Sequence, residues 1–327
     1  MKKKYIVVTG GAGFVGTNLI ELLLKKTKYK IISIDNYSSG SKKNHIKNRR
    51  IKYYNANTKD IYKILKKPKD INAIFHFGEF ARIYQSFLKM DKCISSNSVG
   101  SNAVFNYCLT NKIKLVYSAT SASLGNKGRD KNLSPYAFTK AKNLELLENL
   151  KKWFNFNYEI IYFYNVYGNN QLANHKLAAV IGIFEYQYIN NKPLTVCRPG
   201  NLRRDFTHVS DIVTGSYLAS KTKNNSEYML GTGKNYSVLE VAKMFNQKYS
   251  VMVNSGSSAN LVMIAAIKKI LGWKDNDEIL LSPVGFPTTI APVVQHGLKP
   301  VFVDIEFDTL NFDLDLLEKK INNRTRA

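Results

Sequence analysis

Residues 4–26, KYIVVTGGAGFVGTNLIELLLKK, decide the fold. Tyr5 to Val8 is a short apolar, β-branched run of the kind a buried strand makes. Phe14, Leu19, Leu22 and Leu23 recur near helical spacing, so the stretch reads as strand, glycine turn and amphipathic helix. Gly10, Gly13 and Gly16 form a GxxGxxG pattern between the two. Gly10 permits the tight turn, Gly13 lets the backbone approach a pyrophosphate, and Gly16 lets the helix pack close to the strand. The unpaired N–H groups at the start of the helix, around Phe14 and Val15, then face the phosphates.

Working outward, YKIISID ends at Asp35, where a carboxylate is placed to accept hydrogen bonds from an adenosine ribose. Asn36 follows, with no arginine to receive a 2′-phosphate, which favours NAD over NADP. Further strand-like runs, IKYYNA, NAIFHFG, IKLVYSA and YEIIYFY, alternate with helix-like segments. That rhythm predicts an α/β fold with a Rossmann-like, doubly wound parallel sheet. Phe77 and Gly78, at the end of NAIFHFG, join the expected cofactor contacts.

At 327 residues the chain is long enough for two domains. Nothing approaches an uninterrupted apolar membrane span, and the basic start MKKKYIVVTGG has too short an apolar run for a signal peptide. No membrane association and a cytoplasmic location are expected. Cys93, Cys108 and Cys197 form no CxxC pair; they read as reduced thiols, with no metal site. The net charge of +24 raises a nucleic-acid partner. The lysines are scattered, however, without an RNP, zinc-finger or basic-helix pattern, and read as a solvated surface with no nucleic-acid partner. Charge is also uneven: residues 249–327 hold 8 Lys/Arg against 9 Asp/Glu, a net of −1, which leaves +25 for residues 1–248. Nineteen of the 20 tyrosines precede Tyr249. These shifts mark a domain boundary.

YxxxK occurs at Tyr62/Lys66, Tyr136/Lys140, Tyr188/Lys192 and Tyr217/Lys221, and context selects the second. SPYAFTKAKNLELLENL opens with Ser-Pro, a helix entry, and follows the strand KLVYSAT, whose C-terminal end belongs beside the cofactor. An i, i+4 spacing puts Tyr136 and Lys140 on one helix face. A phenol becomes a base at neutral pH only if its pKa falls by about three units, roughly 4 kcal/mol of differential stabilisation, for which a nearby ammonium is suited. An ordinary helix face is the other reading of the pair.

TGGAGFVG, YSATSASLG, SPYAFTK, YNVYG, RRDFTHVSD and LGTGKNYSVLEV occur in the order and spacing of the extended short-chain dehydrogenases. Over residues 3–247 the chain resembles the NAD-dependent epimerase/dehydratase family, of the UDP-glucose 4-epimerase type. The resemblance implies Tyr136 as catalytic base and acid, and Lys140 as its electrostatic partner and a nicotinamide-ribose ligand. It implies that Thr120 hydrogen-bonds the sugar oxygen being oxidised. Asn97 and Tyr164 become cofactor contacts, Asn165 a substrate contact, and Arg204 the grip on the nucleotide diphosphate, with an ion pair to Asp205 as the other reading. The implied reaction interconverts epimers at C4 of a nucleotide-diphosphate sugar through a 4-keto sugar, with NAD as cofactor and a UDP-hexose as substrate. It also implies a homodimer. In the 4,6-dehydratase branch Asp-Glu follows the catalytic threonine; here Ser121 and Ala122 follow Thr120, which favours epimerisation. Two residues depart from the family pattern: Leu124 replaces an aromatic, and Glu79 stands in FGEFAR as a substrate contact, an indirect contributor or an exposed charge.

Residues 248–327 resemble the start of the large domain of fold-type I PLP-dependent nucleotide-sugar aminotransferases and 3-dehydrases, through NSGSSANL, GFPTT and KPVFVDI. The resemblance implies a phosphate cup at Gly256, Ser257 and Ser258 and an aromatic stack at Phe286. The aspartate and Schiff-base lysine of that family lie downstream of such a segment, so a vestigial PLP site without cofactor is expected. The expected organisation is an NAD-binding epimerase domain over 1–247 with an incomplete substrate lobe, joined to a partial aminotransferase-like α/β segment over 248–327. Impaired turnover, or a non-catalytic nucleotide-binding remnant, follows from that organisation.

Overall fold

The computed structural model describes residues 4–173, 175, 177–196, 200–245, 256–285 and 287–327. They fall into two compact units, Met1–Thr195 with Gly200–Asn246, and Val196–Pro199 with Gln247–Ala327.

The first unit is built on strands β1 (Tyr5–Thr9), β2 (Lys30–Asp35), β3 (Ile51–Asn55), β4 (Ile71–His76), β5 (Lys114–Thr120) and β6 (Tyr158–Phe163). It also holds β7 (Asn165–Tyr167), β8 (Arg203–His208), β9 (Glu227–Leu230) and β10 (Asn235–Ser237). Seven strands make one sheet in the order β3-β2-β1-β4-β5-β6-β9, and every pairing in it is parallel. The order reverses between β1 and β4, the switch point at which an open α/β sheet leaves a crevice.

The apolar runs are explained by burial on both faces. Ile6, Val8, Phe75, Val116 and Ile161 pack with Leu19, Ile20 and Leu23 of the helix Phe14–Lys26 and with Val209 and Val213 of the helix Val209–Ala219. Their neighbours Val7, Ile74, Leu115, Tyr117, Ile160 and Tyr162 pack the opposite way, against Val104, Phe105 and Cys108 of the helix Ser101–Thr110 and Leu147 and Leu150 of the helix Pro135–Phe154. Alternation along each strand sends consecutive side chains to opposite layers, and a strand covered on both sides must be apolar throughout.

The helix Pro135–Phe154 starts where its sequence predicts. The Ser134 side chain accepts a hydrogen bond from the Ala137 N–H, and Pro135 occupies the first turn. Asn155 ends it in the left-handed conformation, at φ 51°. A smaller sheet, ordered β10-β8-β7, carries Asn165 and Arg204.

In the second unit β11 (Glu278–Leu281) pairs in parallel with β12 (Lys299–Phe302). Ile279, Leu281, Val293 and Leu298 form its small core, with Ile264, Trp273 and Ile290 against it. Among the described residues no helix is long and apolar enough to cross a membrane, and no cluster of His, Cys, Asp and Glu could hold a metal ion.

Candidate active site

The C-terminal ends of β1, β2, β4, β5 and β6 gather most of the residues singled out by sequence. At the first turn Gly10 has φ +70°, and a Cβ there would lie 2.8 Å from the Phe77 carbonyl carbon. A Cβ on Gly16 would sit 2.1 Å from the Gly10 oxygen, so turn and helix touch backbone to backbone. Gly13 differs: a Cβ there would meet only the Gly10 oxygen, at 3.2 Å, leaving the outer face of the turn open. The helix Phe14–Lys26 has neither a side-chain cap nor an acidic residue in its first turn. Phe14 and Val15 are half-buried at its start. This arrangement fits the pyrophosphate of a dinucleotide.

Asp35 is buried at the end of β2. Its Oδ2 accepts the Ala12 N–H (3.0 Å) and its Oδ1 the Tyr37 N–H (2.8 Å), which leaves lone pairs on each oxygen for a ribose diol. Burial raises its pKa against the opposing pull of these amides. Asn36 is engaged with Asn57, at 2.9 Å.

Tyr136 is buried, and burial pushes its pKa up to about 12. The neighbouring Thr120 hydroxyl opposes the rise, the charge of Glu79 adds to it, and the Arg82 guanidinium opposes it. Thr120, itself 8% exposed, accepts the Ala122 N–H at 3.2 Å. The Thr120 hydroxyl thus lies beside the phenol. Lys140 goes elsewhere. Its ammonium is hydrogen-bonded to Glu79 Oε2 and the Ser118 carbonyl, stands 3.4 Å from the Tyr117 hydroxyl, and lies 4.6 Å over the Tyr117 ring. Among the described residues no hydrogen bond joins it to Tyr136.

Glu79 is the centre of a cluster. Its side chain is 2% exposed, and Oε1 accepts from the Ser101 hydroxyl (2.7 Å), the Tyr117 hydroxyl (3.0 Å) and the Asn143 amide (3.1 Å). The direction of the chain behind Ser101 can be derived. Thr9 Oγ1 accepts the N–H groups of Phe77 (3.1 Å) and Gly78 (3.0 Å), so its own proton goes to His76 Nδ1, 2.7 Å away. A neutral His76 then donates from Nε2 to Ser101 Oγ, at 2.9 Å, and Ser101 donates to Glu79. Burial drives the His76 pKa down to about 4, which keeps the ring neutral.

Asn97 is buried among internal partners. Its Oδ1 accepts the Phe80 N–H (2.6 Å), and its Nδ2 donates to the Phe80 carbonyl (3.0 Å) and to Thr139 (3.2 Å). It braces the segment beyond β4 against the Tyr136 helix. Tyr164 is half-buried just after β6, and Asn165 donates to the Asp205 carbonyl at 3.2 Å. Arg204 is exposed on β8. Its neighbour Asp205 does not pair with it; that carboxylate accepts from the Thr232 N–H (3.0 Å), the Thr232 hydroxyl (2.8 Å) and the Gly233 N–H (2.9 Å). The ion pair of this segment is Arg203 with Glu240, at 3.1 Å. In the second unit a helix begins at Gly256, whereas Phe286 and the side chains of Ser257 and Ser258 lie outside the described residues.

Sequence reasoning missed Ser101, Tyr117 and Asn143. Asn143 had a signal: it follows Lys140 by three, on the face already carrying Tyr136. Glu79 had one too, as a lone charge between Phe77 and Phe80 at a strand exit.

A parallel sheet reversing between β1 and β4, with a glycine turn at its C-terminal edge, is a Rossmann-like fold of the short-chain dehydrogenase type. The chain belongs to the NAD dependent epimerase/dehydratase family, whose model matches residues 6–231. Residues 220–327 match the model of the DegT/DnrJ/EryC1/StrS aminotransferase family. Among curated relatives, GDP-4-keto-6-deoxy-D-mannose 3-dehydratase of Escherichia coli O55:H7 is 43% identical over 114 residues, 34% of this chain. The chain spans only 28% of the length of that relative. UDP-glucose 4-epimerase of Thermotoga maritima, solved with UDP-glucose, is similar in fold: the TM-score is 0.68 at 24% identity, over 76% of this chain and 84% of that one. UDP-glucuronic acid 4-epimerase of Bacillus cereus, solved with UDP-glucuronic acid and NAD, has a TM-score of 0.67 at 26% identity, again over 76% and 84%.

Proposed function

We propose that the first unit binds NAD and epimerises a nucleotide-diphosphate sugar at C4, in the manner of UDP-glucose 4-epimerases, with a UDP-hexose as substrate. The observation that carries this reading is the Tyr136 phenol beside the Thr120 hydroxyl at the C-terminal edge of the sheet. Gly10, Gly13 and Gly16 with the N–H groups at Phe14 and Val15 would hold the pyrophosphate, and Asp35 the adenosine ribose. Bound NAD supplies a hydride acceptor that becomes the donor in the return step.

The residues of this chain handle the proton. Thr120 orients the sugar O4, and Tyr136 Oη, once it has given up its own proton, takes the O4 proton as phenolate while the C4 hydrogen leaves, then returns it to the ketone oxygen once the other face is reduced. Arg204 is exposed on the smaller sheet, and a guanidinium has the donor geometry that suits a diphosphate, which supports this role for it. Ser121 and Ala122 after Thr120 supply no acid or base for removing a hydroxyl at C6, which supports epimerisation over 4,6-dehydration. No PLP-dependent step is assigned to residues 248–327.

The test is to assay purified protein for bound NAD and for interconversion of UDP-glucose and UDP-galactose. Turnover that stops in Tyr136→Phe supports the reading. Bound NAD with no turnover of any nucleotide-diphosphate hexose favours the second reading, a non-catalytic nucleotide-binding fusion. One observation favours that alternative: Lys140 is engaged by Glu79, Ser118 and Tyr117.

A homodimer accompanies the proposal. Ile83, Tyr84, Phe87, Leu88, Met90 and Ile94 are exposed on the helices Ile83–Leu88 and Met90–Ile94, an apolar face that suits a second copy. Sedimentation would give a dimer mass, and a monomer after Phe87→Glu with Leu88→Lys.

A further inference from the structure

We propose that Glu79 is a positioning residue of the site: its carboxylate holds the Lys140 ammonium against Ser118 and Tyr117, and thereby sets the pH at which Tyr136 gives up its proton. The inference deepens the reading of Tyr136 as the proton-handling group and rests on it.

A buried carboxylate is unfavourable unless a countercharge and hydrogen bonds replace water around it. Glu79 has both, from three elements of the fold. Lys140 and Asn143 come from the helix Pro135–Phe154, Tyr117 from β5 and Ser101 from the helix Ser101–Thr110. Ser101 is itself oriented by the directed chain from Thr9 and His76. Rotating the carboxylate would leave several buried donors unpaired at once, so the geometry over-determines its position.

The consequence falls on Tyr136. The titratable and charged groups that act on it are Glu79 at the exit of β4, Arg82 and Cys93 in the segment that follows, and Tyr117 on β5, while His76 and Lys140 adjoin Glu79. His76 is held neutral, and burial raises the pKa of Cys93 and Tyr117. Two cations therefore remain, Arg82 and Lys140. Glu79 sits directly on Lys140 and neutralises its charge within the cluster. Its own charge acts to keep the phenol protonated. A glutamine there would keep an acceptor for Ser101 and Tyr117 while removing the negative charge.

The test titrates the full chain as purified by the ultraviolet absorbance of tyrosinate. Tyr136 is one of 20 tyrosines, so its contribution is taken as the difference between each protein and the same protein carrying Tyr136→Phe. In Glu79→Gln that contribution should move down by at least about one pH unit, roughly ten-fold more phenolate at a fixed pH. Glu79→Asp keeps the charge and should titrate within a few tenths of the wild type. Glu79→Ala should reproduce the glutamine shift, and either uncharged variant suffices if the other does not fold. An unmoved Tyr136 in a folded uncharged variant overturns the proposal. So does an equal shift in Glu79→Asp, which would mean that packing rather than charge is responsible. The readout needs no turnover, so failure to epimerise a sugar would sink the proposed activity and leave this result standing.

Discussion

Two lysine–glutamate pairs lie buried at opposite ends of the same sheet. Lys114 and Glu159 meet at 3.1 Å where β5 and β6 begin. Lys140 and Glu79 meet at the other end, beyond β4 and β5. The first pair is completed by backbone. Lys114 donates to the carbonyls of Ala219 (3.0 Å) and Thr222, and Glu159 accepts the N–H groups of Asn224 (3.2 Å) and Ser226 (2.9 Å). Burial works to raise the Glu159 pKa, yet the Ser226 N–H and Lys114 hold it below the ordinary carboxylate range. The second pair is completed mostly by side chains that themselves donate, accept or titrate. A backbone-satisfied pair stitches a loop to the sheet; a side-chain-satisfied pair transmits charge to its neighbours.

The largest effect expected at the second pair is on chemistry. Tyr136→Phe removes the hydroxyl proposed to move the proton and should lower turnover by about 10²–10⁴-fold without shifting the denaturation midpoint, as read by steady-state kinetics beside urea unfolding. At the first pair the order is reversed. Lys114→Met leaves Glu159 buried without its countercharge and should destabilise the fold by about 3–5 kcal/mol. The Tyr136 titration should not move, and a shift there would erase the distinction between the two ends.

Acid sensitivity should also be lopsided. His76 belongs to the Glu79 cluster, and its folded pKa of about 4 lies below the unfolded value of 6.5. As pH falls the unfolded chain takes up the proton first, so stability present above pH 6.5 is lost progressively down to about pH 4. The gap is worth about 3 kcal/mol. His76→Gln should flatten the unfolding free energy over that window by this amount, measured as the difference from wild type at each pH. The smallest effect is the control: Lys152 and Glu148, an exposed pair at 2.7 Å one helical turn apart, should be removable without measurable change in stability or titration.

How legible all this was in the sequence follows from the range of each interaction. The glycine turn, Asp35 at the end of β2 and the Ser134–Pro135 helix start depend on residues a few positions apart, and each stands where its motif puts it. Thr120 and Tyr136 could be paired through motif order alone. Glu79 could not be ranked, because its partners lie 22, 38, 61 and 64 residues away. The same holds for Asn97, whose side chain braces Phe80 and Thr139, and for Arg204, whose expected partner Asp205 folds onto the Thr232–Gly233 turn instead.

By itself, then, the order of amino acids determined the layered α/β fold, the dinucleotide turn and the change of family toward the end of the chain, since periodicity and glycine spacing act locally. Only the tertiary structure decided which charge neutralises Lys140 and how firmly Tyr136 holds its proton. Those properties depend on burial and on donors converging from separate strands and helices, and an electrostatic field inside a folded core has no local signature in sequence.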